Sequence, residues 1–289
     1  MSFSFPDWLE PHLLDDAVMG EAYASVPDER RALLKTSIAR LWEWYGPSCC
    51  TAQRLERLFR GGFTAAEMRS PVGFAVFVCG ADMNSPAQLL AALVPAIAAG
   101  VLHILAVKPC GTGWTQPQLV GLELAGVEMV AELDQDTLQR LLRELAQGGE
   151  SGRLVYIDAE DAVSQVGKCS PGVLSLNLGK AAAVVRQGEG GNRFDLDALA
   201  FAQAGTRMTY FGDASDVDDS VFSCADREFE YALTQDASVA FLPAGDHSRA
   251  AAHFSAVMGP GHESSWIWTE IDANTFVDTR VTWSDGEES

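Results

Sequence analysis

The sequence predicts an α/β fold built on a parallel sheet with helices on both faces. Residues 73–79, Gly-Phe-Ala-Val-Phe-Val-Cys, form a continuous apolar run of the kind found in strands that are covered on both sides. Further short apolar runs follow, and stretches with helical spacing alternate with them over short connections. This alternation is typical of parallel strands joined by right-handed helical crossovers.

The first 65 residues are predicted to be helical. Pro27 followed by Asp28 and Glu29 suits a first helical turn, and apolar side chains then recur at helical spacing from Leu33 to Trp42. Gly46-Pro47 ends this helix. Thr51 is expected to cap a second, short helix that ends at Gly61-Gly62.

The middle of the chain supplies the strand–helix alternation. Ser85 is predicted to cap a helix that begins at Pro86, and Thr115-x-x-Gln118 resembles a capping box that starts the next one. The glycines Gly100 and Gly126 close these two helices. The remaining predicted elements are strands at 101–107, 127–130 and 154–157 and a helix marked by leucines at 138–145.

The pattern is weaker beyond residue 170. Strands are expected at 173–176, 181–185, 208–211 and 238–242, and helices at 195–204 and from Asp246 to about Val257. The tail from Trp283 is predicted to be frayed. No internal sequence repeat is visible.

Composition restricts the partners of the chain. Its 289 residues suit two modest domains or one two-lobed domain, and 40 acidic against 20 basic residues give a formal net charge of −20. Such a charge disfavours nucleic acid and anionic membrane surfaces as partners. The chain has neither an apolar run of about 18 residues nor a basic leader, so we expect a soluble, cytoplasmic protein. The six cysteines are expected to be free thiols.

An ordered set of short motifs resembles one enzyme superfamily. Pro71-Val72-Gly73, Asn84-Ser85-Pro86, the run Val94-Pro95-Ala96-Ile97-Ala98-Ala99-Gly100 and Val107-Lys108-Pro109 occur in this order. They resemble the aldehyde dehydrogenase motifs P-V-G, N-x-P, L-x-P-A-L-A-A-G and V-x-K-P. The run 94–100, together with the later Leu-Ala-Gly-Val at 124–127, also resembles histidinol dehydrogenase.

The resemblance implies a Rossmann-like nucleotide-binding lobe at 70–185 and a second, smaller α/β lobe formed by residues 1–69 and 186–289. It implies NAD or NADP near the carboxyl ends of the strands, a small-molecule substrate, and pairing into a homodimer. By motif position Lys108 would face the ribose of the cofactor with Pro109 beside it, and Asn84 would donate to a developing oxyanion. The alternatives are that Asn84 only satisfies backbone groups in its loop and that Lys108 is an ordinary lysine at a strand end.

The residues for aldehyde chemistry do not match the family pattern. Ala204-Gly205-Thr206-Arg207 resembles the tail of the catalytic cysteine motif, and this match puts Ala202 at the position of the nucleophile. Residues 176–180 resemble the glutamate motif, with Asn177 in place of the acid. Cys79 and Cys110 are the remaining thiols near strand ends, where either a lowered thiol pKa or a buried apolar role is open.

No metal is expected. Gln203-Ala204 keeps the first pair of the zinc-binding run of histidinol dehydrogenase and loses its histidine. His247 and His253 lie six residues apart, about 240° round a helix, so they cannot bind one ion together. The acidic run at 213–219 favours a solvated loop over a calcium site. Three interpretations remain: an NAD(P)-dependent oxidoreductase with an altered active site, a non-catalytic nucleotide-binding or protein-interaction relative, and an unrelated α/β domain.

Overall fold

The computed structural model describes residues 3–46, 52–163, 170–213, 215, 217–225 and 229–285. Its strands form a three-stranded sheet and two five-stranded sheets. The strands are β1 (Gln53–Leu58), β2 (Phe63–Pro71), β3 (Phe74–Cys79), β4 (Ile104–Pro109), β5 (Met129–Leu133), β6 (Gly152–Ile157), β7 (Val173–Leu178), β8 (Ala182–Arg186), β9 (Arg207–Phe211), β10 (Phe222–Cys224), β11 (Val239–Phe241), β12 (Ala256–Met258) and β13 (Val277–Asp285).

Helices alternate with the strands along most of the chain, and short 3-10 turns lie at Asp7–His12, Gly190–Asn192, Ala244–Asp246 and Ala273–Phe276. They are α1 (Asp16–Ser25), α2 (Asp28–Tyr45), α3 (Pro86–Ala98), α4 (Gln116–Leu124), α5 (Gln135–Gln147), α6 (Glu160–Val163), α7 (Leu196–Ala202), α8 (Phe229–Ala232) and α9 (His247–Ala250). None of the helices in the described parts of the chain has the length and apolar character that a membrane crossing requires.

The first five-stranded sheet is parallel, with the order β5-β4-β3-β6-β7. All six residues of β3 are buried at its centre. Alternate side chains along β3 explain this: Ala75 and Phe77 pack on α3 and α4, whereas Val76 and Val78 pack on α5. The predicted α/β class and the parallel sheet with flanking helices are therefore confirmed.

The local signals at the helix ends act as the sequence predicts. The Ser85 hydroxyl accepts a hydrogen bond from the Gln88 amide with Pro86 in the first turn, and Thr115 and Gln118 form a complete capping box. Gly46 ends α2 with a φ of 63°. Such a left-handed conformation carries no steric cost for glycine.

The second five-stranded sheet is also parallel and has the order β10-β9-β8-β11-β12. In each of the two sheets the chain forms the central strand first, then two strands on one side of it, and then two strands on the other side. The topology is thus repeated although the sequence shows no repeat. The strand expected at 181–185 is β8, which lies at the centre of this second sheet.

The prediction of a helix between Thr51 and Gly61 is wrong. Residues 53–58 form β1, which pairs antiparallel with β2 across a turn where Gly62 has a φ of 85°. The two glycines therefore make a hairpin turn instead of ending a helix. Thr51 itself lies outside the described residues.

Two predictions near the carboxyl terminus are also wrong. The prediction of a frayed tail is wrong for residues 283–285, because β13 pairs with β2 as far as Asp285 and the Trp283 ring stacks on Phe63. The rest of that tail, residues 286–289, lies outside the described residues. The helix predicted from Asp246 to Val257 is only the four-residue α9, followed by β12. The carboxylate of Asp246 caps no helix, because it pairs with the guanidinium of Arg186.

Candidate functional site

A cleft of about 550 Å³ opens at the carboxyl ends of β3 to β6. Its apolar side consists of Val78, Leu133, Leu138 and Leu142, and Pro109 lines it at the end of β4. The chain leaves β3 towards β4 and later places β6 on the other side of β3. The cleft therefore lies at the switch point of the sheet, where open α/β folds bind ligands.

Polar side chains line the other parts of the cleft. Gln135 and Gln139 extend from the first turns of α5, and Asp158 and Glu160 follow β6. None of these four residues belongs to one of the motifs in the sequence. Their common signal is position, since each follows the carboxyl end of a buried strand closely.

The loops after β3 and β6 approach each other closely at this point. A Cβ atom at Gly80 would lie 1.7 Å from the backbone oxygen of Asp158, so only glycine fits there. Asp158 has a φ of 51°, which is uncommon outside glycine. Its backbone amide donates to the carbonyl of Leu178 at 2.9 Å, which helps to hold this conformation.

One ammonium group is shared between two carboxylates at the rim. Lys180 Nζ lies 3.8 Å from Asp82 Oδ2 and 3.9 Å from Asp158 Oδ2. Burial raises the pKa of Asp158, Lys180 opposes this rise, and the carboxylates of Asp82 and Glu160 add to it. The long ion-pair distances indicate a weak compensation for the desolvated carboxylate.

Lys108 and Asn84, the residues singled out by the motifs, lie together near the carboxyl ends of β4 and β3, on the side of the sheet that packs on α3 and α4, and neither is among the residues that line the cleft. Lys108 Nζ donates to Asn84 Oδ1 at 3.0 Å, to the Gly113 carbonyl at 3.2 Å and to Gln118 Oε1 at 3.3 Å. The Lys108 side chain has no exposed surface, and burial lowers the pKa of this lysine. Its ammonium joins the loops after β3 and β4 to the start of α4.

The contact with Lys108 fixes the orientation of the Asn84 amide. Because Oδ1 accepts from the ammonium, Nδ2 is the atom left to donate, and it has no acceptor among the described residues. Asn84 is partly exposed. The arrangement therefore presents an oriented N–H donor at the end of β3, while the charge that orients it stays buried.

The segment that resembles the cysteine motif packs directly against this corner. The Ser85 hydroxyl donates to the Ala202 carbonyl at 2.8 Å, and a Cβ at Gly205 would lie 3.3 Å from Asn84 Cβ. The motifs therefore meet in space, but Ala202 is fully buried and has no nucleophilic group. Asn177 is exposed on β7, which is one of the two edge strands of the first sheet.

The strand-end thiols differ in environment. Cys79 is buried, and burial raises the pKa of its thiol to about 12, so this cysteine is a neutral core residue and not an activated nucleophile. Cys110 is exposed after β4. In the described ranges no three His, Cys, Asp or Glu side chains are grouped closely enough to bind a metal ion. Cys49, Cys50 and Cys169 lie outside these ranges.

Comparison with known proteins identifies the fold. The sequence matches no protein-family model, and no curated protein is significantly similar to it. Among solved structures, histidinol dehydrogenase from Elizabethkingia anophelis superposes with a TM-score of 0.54 at 10% identity, over 95% of this chain and 77% of that one. The chain therefore has a fold of the histidinol dehydrogenase type.

Two aldehyde dehydrogenases superpose less closely. Succinate-semialdehyde dehydrogenase from Burkholderia pseudomallei gives a TM-score of 0.48 at 12% identity, over 92% of this chain and 83% of that one. Aldehyde dehydrogenase 21 from Physcomitrella patens gives 0.48 at 10% identity, over 95% and 90% of the two chains.

Proposed function

We propose that this chain binds NAD or NADP in the strand-end cleft and acts as an oxidoreductase on a small-molecule substrate, with an active site that differs from that of aldehyde dehydrogenases. The observation that carries the proposal is the position of the cleft at the switch point of the first sheet. Its volume is in the range of small-molecule sites.

The lining of the cleft suits the nucleoside part of a dinucleotide. Leu138 and Leu142 on α5 offer an apolar wall for a flat base, and Gln135 and Gln139 offer amide groups that can both donate and accept. The carboxylates of Asp158 and Glu160 can accept hydrogen bonds from ribose hydroxyls. These residues therefore fit an adenosine group.

The chemistry assigned to the site follows from Asn84 and Lys108. A bound nicotinamide ring would supply a hydride donor or acceptor. Asn84 lies in the same loop as Gly80 and Ala81, which line the cleft. We assign to its Nδ2 the donation of a hydrogen bond to a substrate oxygen on which negative charge develops, and to Lys108, which donates to its Oδ1, the role of orienting the amide. Because Ala202 cannot form a covalent adduct, we assign no thiol step to this position, and we expect an alcohol or its carbonyl product as substrate.

A second candidate function is nucleotide binding or protein interaction without catalysis. Two observations favour it: the ammonium of Lys108 is fully buried, and the position matched to the nucleophile holds the buried Ala202. Under this alternative the cleft binds a nucleotide, and Asn84 and Lys108 only stabilise their loops.

Calorimetric titration with NAD⁺, NADH, NADP⁺ and NADPH tests both candidates. We expect saturable binding of at least one of them, and its loss in Ala81→Trp, which places an indole at the exposed rim of the cleft. Ala252→Trp, at an exposed alanine elsewhere, is the matched control. No binding at millimolar cofactor would reject both candidates as ligand-binding functions of this cleft. Cofactor-linked turnover of alcohols, aldehydes or histidinol separates the first candidate from the second.

We also propose that the chain forms a homodimer through the sheet β1-β2-β13. This sheet exposes Leu58, Val281 and Trp283, and no described strand pairs with the outer edges of β1 and β13. Exposed apolar surface and open strand edges are both features that association covers.

A further inference from the structure

The charges that line the cleft are of one sign. Asp158 and Glu160 carry carboxylates there, and none of the described residues that line it is a lysine or an arginine. Asp82 adds a third carboxylate at the rim, and the single ammonium of Lys180 is shared between Asp82 and Asp158. A ligand group close to the end of β6 therefore meets net negative charge.

This charge separates the two nicotinamide cofactors, which differ by one phosphate on the adenosine ribose. A phosphate monoester carries between one and two negative charges near neutral pH and is recognised by Arg or Lys side chains. A free 2′-hydroxyl can instead donate a hydrogen bond, which a carboxylate oxygen accepts. Resting on the proposed function, we infer that Asp158 and Glu160 bind the adenosine ribose hydroxyls and that the cleft takes NAD(H) in preference to NADP(H).

The backbone at Asp158 supports a fixed role for its side chain. The left-handed conformation of this residue is held by the hydrogen bond to Leu178 and by the close approach of Gly80. A backbone fixed before the ligand arrives loses little entropy on binding, and it fixes the point from which the Asp158 side chain extends. Burial also raises the pKa of Asp158, in keeping with a partly desolvated environment in which charge repulsion is strong.

The selectivity is tested by paired calorimetric titrations with NAD⁺ and NADP⁺, repeated with the fragments 5′-AMP and adenosine 2′,5′-bisphosphate. We expect the compound without the 2′-phosphate to bind at least about tenfold more tightly in each pair, a difference of about 1.4 kcal/mol. The fragments carry no nicotinamide, so their comparison isolates the adenosine ribose from the redox centre.

Two variants assign the selectivity to the carboxylates. Asp158→Asn retains a residue type that tolerates the left-handed backbone, and Glu160→Gln changes an exposed residue, so both are expected to fold. Each should reduce the affinity ratio several-fold, and the double variant should bring it close to one. Glu128→Gln, which removes one charge from an exposed residue at the opposite edge of the sheet, should leave the ratio unchanged.

The outcomes distinguish this inference from the proposed function. NADP⁺ binding as tightly as NAD⁺, or more tightly, overturns the preference while cofactor binding stands. A preference for NAD⁺ that the two variants leave intact overturns the role of Asp158 and Glu160. If neither cofactor nor either fragment binds at millimolar concentration, the proposed function and the inference fail together.

Discussion

Lys108 is a charged side chain with no exposed surface. Three neutral oxygen acceptors compensate the burial of its ammonium group. A buried ammonium without acceptors is strongly unfavourable. Conversely, removal of the ammonium leaves the oxygens of Asn84, Gly113 and Gln118 without their donor. The same side chain therefore stabilises the loops and orients the amide that we assign to substrate binding.

Lys108→Met should destabilise the protein by about 2–4 kcal/mol, because three buried or partly buried acceptors lose a charged donor. Urea denaturation measures this change in the free energy of unfolding. Lys35→Met, at an exposed lysine on α2, should change it by less than about 0.5 kcal/mol. Equal stabilities of the two variants would contradict the internal role of Lys108.

Asp158 gives a prediction on pH dependence. Its pKa is higher in the folded protein than its ordinary value of 3.8, so the folded state binds this proton more tightly than the unfolded state does. The charged carboxylate therefore lowers stability at neutral pH, and this effect disappears as the pH falls below 3.8. Asp158→Asn should raise the Tm at pH 7 and lose this advantage near pH 3; a lower Tm at pH 7 would contradict the prediction.

The ordered motifs direct attention to the correct end of the sheet. Asn84, Lys108 and Pro109 belong to them, and the structure places Asn84 against Lys108 and Pro109 in the lining of the cleft, while their functional roles stay predictions. Asp158 and Glu160 were missed because a carboxylate after a strand is unremarkable until the sheet order brings β6 beside β3. The burial of Lys108 was also not predictable, because it arises from Gly113 and Gln118 closing over it.

At the scale of elements, the fit between β3 and β6 depends on Gly80. Gly80→Ala would bring its Cβ to 1.7 Å from the Asp158 oxygen, so the two loops must separate. We expect a loss of more than about 2 kcal/mol in the free energy of unfolding and weaker cofactor binding. Gly179→Ala, whose added Cβ meets nothing within 4 Å, is the control and should leave both unchanged. If Gly80→Ala bound the cofactor as tightly as the wild type does, the contact between Gly80 and Asp158 would not be needed for cofactor binding.

The elements that the sequence predicted correctly are those with local or strongly periodic signals. The central strands are continuous apolar runs, and α3 and α4 carry caps that act through neighbouring residues. The strand β1 failed because all six of its residues are exposed and its pairing comes from β2. The strand β12 has only three residues and depends on β11, which no local pattern reports.

At the scale of the whole molecule, the two parallel sheets share one topology, whereas the third, antiparallel sheet has strands that are largely exposed to solvent. The two parallel sheets have extensively buried central strands, whereas β1 and β13 are exposed along most of their length. A three-stranded sheet with little cover is marginal in isolation. This contrast is the reason for placing the proposed dimer contact on β1-β2-β13.

The dimer predicts a particle of twice the chain mass of 31.0 kDa in sedimentation velocity experiments at micromolar concentration. Leu58 and Trp283 are 79% and 72% exposed, so Leu58→Lys with Trp283→Ser should fold normally and shift the population to monomer. Leu102→Lys changes a side chain that is 88% exposed at the amino edge of the first sheet, and it should leave the dimer intact. A wild-type chain that sediments as a monomer at every concentration would contradict the dimer itself. A double variant that remains dimeric would show that the contact between the subunits does not involve Leu58 and Trp283 on this sheet, although exposed apolar side chains are typical of such contacts.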